Sequence, residues 1–228
     1  MKKKIKIWHF SDTHTYHELL NIPEGVDVAI FSGDCSNPSN VKLNEPEVIN
    51  FLQWFAQVPI KHKIMIAGNH DTSIEKRIVT KEIIESYGII YLENESVEIE
   101  GLKIWGSPHT PQFGNWAFMK DRSKLDAIWQ KIPEDTDILV IHGPAKGVLD
   151  LSENYDNYVE MCGCSALRKR IQVIQPKLFC FGHIHNTGHI VNAGYTKLYS
   201  CDTIFSNGSV VTDRKFGKLT SNGNEFEI

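Results

Sequence analysis

The 228 residues include 24 basic and 28 acidic side chains, a formal net charge of −4, and 41% hydrophobic and 23% charged residues. That balance excludes disordered, collagenous and fibrous chains, and one domain over residues 1–228 is long enough to bury most of its own apolar surface. The mild acidity argues against a protein that grips a long nucleic acid, though not against a small phosphorylated ligand whose charge metal ions can meet.

Short apolar runs that end in polar, often glycine-containing loops recur along the chain. Residues 5–10 predict a first strand ahead of Ser11-Asp12-Thr13-His14, and residues 26–31 a second ahead of Ser32-Gly33-Asp34. Residues 46–57 predict a helix, with Val48, Ile49, Leu52 and Phe55 on one side and Pro59 beyond its end. A third strand over 63–66 leads into Gly68-Asn69-His70-Asp71, and a helix over 74–87 closes at Gly88. Residues 97–99 and 103–105 predict a hairpin turned by Glu100-Gly101. A helix over 122–131 precedes Pro133, and a strand over 138–141 leads into His142-Gly143-Pro144. A helix over 165–174 stops before Pro176. The strand over 178–181 leads into Gly182-His183-Ile184-His185. After His189 the pattern turns β-rich, with turn signals at Asn207-Gly208 and Asn222-Gly223.

Five cysteines, an odd and sparse count, point to reduced thiols. No run reaches the roughly 18 apolar residues of a membrane helix, and the basic first residues lack the apolar core of a signal peptide. The expectation is a soluble, cytoplasmic protein without a membrane partner.

The five strand-end loops share one chemistry. They hold Asp12, His14, Asp34, Asn69, His70, Asp71, His142, His183 and His185, with five of the ten histidines among them. Imidazole and carboxylate donors suit Zn²⁺, Fe and Mn²⁺. In an extended segment residues two apart point the same way, so Asp12 and His14 face one point, as do His183 and His185. Gly33, Gly68 and Gly182 permit sharp reversals and close backbone approach. Taken singly, Asp-x-His or His-Gly-Pro reads as an ordinary solvated turn. Five such loops in order, each after a strand, are a poor match to chance.

In this order the motifs resemble those of the calcineurin-like metallophosphoesterases: Asp12-x-His14, Gly33-Asp34, Gly68-Asn69-His70-Asp71, His142 and Gly182-His183-x-His185. Gly106-Ser107-Pro108, His142-Gly143-Pro144 with Gly147 and Asp150, Gly163-Cys164 and residues 175–178 are similar to the MPPED-type (metallophosphoesterase-domain) subgroup. The resemblance implies an α/β fold, a four-layer α-β-β-α sandwich of two mixed sheets flanked by helices, with two divalent ions in the cleft above the sheets. It implies that Asp34 is shared, one ion being held by Asp12, His14 and His185 and the other by Asn69, His142 and His183. Some members of that subgroup carry glycine in place of His183, and its presence here implies a complete dinuclear site. By the same resemblance His70, oriented by Asp71, protonates the leaving alkoxide, Asn69 serves both metal and phosphate, and a metal-bridging hydroxide attacks phosphorus in line.

The expected activity is a metal-dependent phosphodiesterase acting on small phosphodiesters, 2′,3′- or 3′,5′-cyclic nucleotides foremost, with Mn²⁺ as first choice and Fe or Zn²⁺ as alternatives. A nuclease, a nucleotide-binding regulator with little turnover and, more weakly, a protein phosphatase are the rival readings. His109 is a candidate substrate contact set against a plain surface histidine. Trp105, Trp116 and Phe118 are candidates for base stacking, although aromatics are commoner in cores. Cys162 and Cys164 lack the second pair a zinc knuckle needs and read as structural. Cys35, beside Asp34, is a candidate for thiol sensitivity, although most buried cysteines are inert.

Overall fold

The computed structural model describes residues 4–153, 156, 158–212 and 217–228. Its first half runs β1 (Lys6–Phe10), β2 (Val28–Phe31), α1 (Val41–Gln57), β3 (His62–Met65), α2 (Thr72–Glu75), α3 (Lys81–Ser86), β4 (Ile90–Tyr91), β5 (Glu95–Ile99) and β6 (Leu102–Ser107). Then follow β7 (Thr110–Pro111), β8 (Met119–Lys120), α4 (Arg122–Trp129), β9 (Ile138–Ile141), β10 (Leu151–Glu153) and β11 (Val159–Met161). The rest is α5 (Ser165–Ile174), β12 (Leu178–Phe181), β13 (Gly194–Leu198), β14 (Cys201–Asn207) and β15 (Asn224–Glu227).

Two main mixed sheets result, beside two two-stranded ladders, antiparallel β10–β11 and parallel β7–β8. In the first, β1, β2, β3 and β4 pair in parallel and β15 lies antiparallel on the free side of β1. In the second, β14, β12, β9 and β6 are parallel, with antiparallel β13 and β5 as edges.

The continuous apolar runs are explained by burial of both faces of each central strand. Ala29 and Phe31 of β2 pack with Val48, Phe51, Leu52 and Phe55 of α1, whereas Val28 and Ile30 turn inward. Leu139, Ile141, Phe179 and Phe181 pack with Leu125, Trp129, Leu167 and Ile171 of α4 and α5. The alternate residues Ile138, Val140, Leu178 and Cys180 meet Ile7, Ile30 and Ile64 between the sheets. Burying each such side chain contributes about 1.5–3 kcal/mol. The layers are therefore helix, sheet, sheet, helix: the four-layer α-β-β-α sandwich.

Local chemistry explains where element bounds moved. Helix α1 starts five residues before the predicted position, because the Asn40 side chain accepts from Lys42 N–H and caps it, leaving Pro46 inside. The predicted helix over 74–87 is two pieces, broken where Arg77 takes a left-handed φ of 59° and restarted by the Thr80 cap. Gly88 follows α3 with φ 74°, as a terminating glycine should. Helix α5 has its predicted bounds and ends at Gln175 in the left-handed region. Glu100 and Gly101 both have positive φ, 52° and 80°, the type I′ geometry of a two-residue hairpin. Asn207-Gly208, by contrast, makes no hairpin. Asn207 ends β14, and Gly208 N–H donates to the Phe181 carbonyl as its own carbonyl accepts from Ser11. That exchange ties the two sheets together where their strand-end loops emerge.

Candidate metal centre

The first loop turns immediately after β1. Asp12 and His14 both occupy the left-handed region, φ 54° and 42°, so the extended path assumed from their spacing is not the one taken. Their convergence comes from a tight turn in which Asp12 N–H donates to the Gly33 carbonyl at 2.8 Å and His14 N–H to the Asp34 carbonyl at 3.2 Å. Asp34 and His183 are left-handed as well, at φ 62° and 69°. Such non-glycine conformations cost about 1–3 kcal/mol each and cluster at functional sites. Gly33 has φ 105°, and a side chain there would press on the His142 ring; one at Gly182 would run into the Asp12 carboxylate and Ser11.

The turns bring the donors together. Ligand atoms of Asp12, His14 and His185 lie within 4.8 Å of one another, as do those of Asp34, His142 and His183. A third grouping of the same span, His14, Asp34 and His70, links the first two. Asn69 joins the second cluster, its Oδ1 3.0 Å from His142 Nε2. His142 Nδ1 donates to the Ser32 carbonyl at 2.8 Å, and His14 Nδ1 to the Ser36 carbonyl at 3.1 Å. A carbonyl only accepts, so Nδ1 carries a proton in both rings and Nε2 faces the cluster. This is how histidines that hold metals are usually oriented. Asp12, His14, Asp34, His142 and His185 are all buried, and their imidazole and carboxylate donors fit divalent transition ions.

Electrostatics follow from that crowding. Burial opposes charge on Asp12, yet His185, by charge and hydrogen bond, and His142 hold its carboxyl below the ordinary range. Burial likewise opposes Asp34, and His142 and His70 outweigh it. Burial would lower His142, but the charge of Asp34 and its hydrogen bond raise the ring to about 9. His14 and His183 are pushed down by burial, to about 4 and about 3, and are neutral near pH 7.

His70 stands at the edge of the cluster. Its N–H donates to Asp34 Oδ1 at 2.7 Å, its Nδ1 bonds the Asn37 carbonyl at 3.0 Å, and its ring lies 4.8 Å from that of His14. Asp71 does not bond the His70 imidazole. Its carboxylate accepts from the N–H groups of Gly68 (2.7 Å), Asp34 (2.9 Å) and Cys35 (3.1 Å), from the Ser36 hydroxyl (2.8 Å) and from the Cys35 thiol (3.2 Å). It staples the second and third loops together, and holds His70 only through their backbone. Burial and Asp71 push the Cys35 thiol well up, which leaves it unreactive.

His109 belongs to none of the donor groupings. It is buried, its Nδ1 bonds the Phe118 carbonyl at 3.0 Å, and Nε2 lies 3.4 Å from the Asn94 amide. Trp105 and Phe118 are core residues, whereas the Trp116 ring sits 4.5 Å from that of His70. Cys164 accepts from Trp129 Nε1 inside the second helical layer, and all five cysteines are free.

Supporting residues passed over in the sequence are Ser209, Asn44 and His9. The Ser209 hydroxyl donates to Asp12 Oδ2 at 2.8 Å. Asn44 donates to the His70 and Pro38 carbonyls and the Ser36 hydroxyl, and accepts from Ser73 N–H. Its signal was there to read: Asn44, Val48 and Phe55 share one helical face, and a polar residue on a core-facing stripe needs partners. His9, buried between the sheets, bonds Ser206 Oγ at 2.7 Å and Ser32 Oγ at 2.9 Å.

Comparison with known proteins points to one family and one fold. The family model for calcineurin-like phosphoesterases matches residues 5–187. Metallophosphoesterase domain-containing protein 1 of Homo sapiens is 33% identical over 89% of this chain, which spans 65% of that relative's length. UPF0046 protein C25E10.12 of Caenorhabditis elegans is 34% identical over 86% of the chain and 74% of its own. One solved crystal structure, 13% identical, superposes with a TM-score of 0.66 over 90% of each chain and supports the fold alone. No helix among the described residues is long and apolar enough to cross a membrane. Two mixed sheets between helices, five donor loops on the strand ends and a family model over most of the length converge: the chain belongs to the calcineurin-like phosphoesterase family.

Proposed function

We propose that this protein is a metal-dependent phosphodiesterase that hydrolyses small phosphodiesters, with 2′,3′- and 3′,5′-cyclic nucleotides the first class to try and Mn²⁺ the first metal, Fe and Zn²⁺ the alternatives. One observation carries the reading: two largely buried donor clusters, Asp12–His14–His185 and Asp34–His142–His183, are joined through a third that contains His14, Asp34 and His70. In this reading Asp34 is shared between two ions, and Asn69 completes the second set. Two divalent ions held there would neutralise phosphoryl charge and supply a water-derived nucleophile near neutral pH.

The chain's own groups do the rest. His70 keeps Nδ1 on the Asn37 carbonyl, which fixes the ring and leaves Nε2 to carry a proton to the departing alkoxide. Asn69 has its amide nitrogen available for a phosphoryl oxygen while Oδ1 faces His142. Asp71 preserves the loop geometry on which both depend. Such positioning supplies most of the rate in phosphoryl transfer.

The test is hydrolysis by the Mn²⁺-loaded protein of a matched set: an aryl phosphodiester, the aryl monoester and both cyclic nucleotide isomers. Diester turnover well above monoester turnover, abolished by a chelator, is the expected result. Monoester preference would reassign the protein as a phosphatase. Silence on all four would favour a nucleotide-binding regulator.

A further inference from the structure

The segment between β7 and β8 carries three aromatic side chains with different fates. Phe118 is buried in the first helical layer. Trp116 instead turns its ring to His70, with centroids 4.5 Å apart, and Phe113 turns its ring to His183, with centroids 5.5 Å apart. Phe113 is 67% exposed. A lone exposed phenylalanine needs no explanation. Two rings from one short loop, each set against a different histidine of the same cluster, do need one.

The loop is anchored rather than draped. Its ends pair in parallel, Thr110 with Met119 and Pro111 with Lys120. Ala117 N–H donates to the Asn69 carbonyl at 3.0 Å, and Phe118 N–H to Glu75 Oε1 at 2.8 Å. His109, on the other side, holds the Phe118 carbonyl. Trp116 is therefore located by main-chain bonds to the same loop that supplies Asn69 and His70. Beside its ring lies a groove of about 300 Å³, whose polar lining includes Thr72, Gln112, Asn115 and the ion pair of Lys76 with Glu75.

We propose that this loop is the specificity element of the site: Trp116 and Phe113 select phosphoesters that carry a planar ring, a nucleoside or an aryl alcohol. Trp116 takes the ring of the leaving alcohol, because it stands at the His70 end from which that alcohol departs. The polar edge of such a ring meets Gln112, Asn115 and Lys76 in the groove, and Phe113 covers the opposite end above His183. The proposal rests on the phosphoesterase reading and adds the substituent it prefers.

Calorimetric binding to the Mn²⁺-loaded full chain tests it, with benzylphosphonate and methylphosphonate as non-hydrolysable probes and inorganic phosphate as reference. Stacking on an aromatic face predicts that wild type binds benzylphosphonate about tenfold more tightly than methylphosphonate. Trp116→Leu and Phe113→Leu keep apolar bulk but remove the π face, and each narrows that ratio; Trp116→Phe restores much of it. Because Phe113 is exposed, Phe113→Leu is informative even if Trp116→Leu fails to fold. Equal affinity of wild type for the two phosphonates, or a preference that Phe113→Leu and Trp116→Leu both keep, overturns the proposal. Failure of inorganic phosphate to bind overturns the phosphoesterase reading, and this proposal with it.

Discussion

His70 is the residue whose role is most exposed to test. Its backbone is tied to Asp34 and its Nδ1 to Asn37, so the ring is placed without a direct bond from Asp71. His70→Ala should retain bound metal yet lose about 10²–10⁴-fold in turnover, with the larger loss on diesters whose leaving alcohol is a poor one. Rates on an alkyl and a nitrophenyl diester, measured beside metal content, separate the outcomes; an equal loss on both would remove the acid role. At this scale the residue types were legible and their backbone was not. Aspartate, histidine and asparagine behind buried strands announced a metal site. The left-handed φ values of Asp12, His14, Asp34 and His183 are imposed by bonds from other loops, to which a local reading of spacing has no access.

Elements show the same division between local and remote causes. The Glu100-Gly101 hairpin, the Gly88 stop and helix α5 depend on local chemistry and were readable from their own residues. The early start of α1 was not read, although its Asn40 cap is local and Asn44 lies on the stripe of Val48 and Phe55, because Pro46 suits a first helical position. Nor was the break between α2 and α3, where apolar spacing continues but Arg77 turns left-handed. Two glycines give a contrast that measures this difference. Gly101 has φ 80° and open space around it, so Gly101→Ala should cost about 1–2 kcal/mol from backbone strain alone and leave metal binding intact. Gly182→Ala drives a methyl group at the Asp12 carboxylate and should lose metal affinity as well as stability. Urea unfolding and metal titration of both variants check this; a metal-binding defect in Gly101→Ala, or its absence in Gly182→Ala, would refute the assignment.

At the scale of the whole molecule, the site exists because two sheets are clamped at one end. Loops after β1, β2 and β3 supply Asp12, His14, Asp34, Asn69 and His70, and loops after β9 and β12 supply His142, His183 and His185. His9 bridges them from below, between Ser32 of one sheet's loop and Ser206 of the other sheet. Burial lowers its pKa from 6.5 to about 3, despite the opposing charge of Asp12. Between those values the unfolded chain binds the extra proton. The neutral ring's contribution is thus complete above pH 6.5 and is lost as pH falls toward 3, at about 1.4 kcal/mol per pH unit. The unfolding free energy of wild type should therefore fall more steeply from pH 6.5 to 4 than that of His9→Gln, which hydrogen-bonds without titrating. Parallel curves would show that His9 is not the buried neutral base described. The layered architecture was implied by motif order and resemblance, whereas this bridge depends on which inward-facing residues meet across the sheets.

In the proposed mechanism Asp34 joins two metal positions into one centre. Calorimetric titration of Mn²⁺ into metal-free wild type and Asp34→Ala tests it most directly. Two ions per chain in wild type, with both sites weakened together in Asp34→Ala, is the predicted result. A single ion per chain, or two ions bound with affinities indifferent to Asp34, would contradict it.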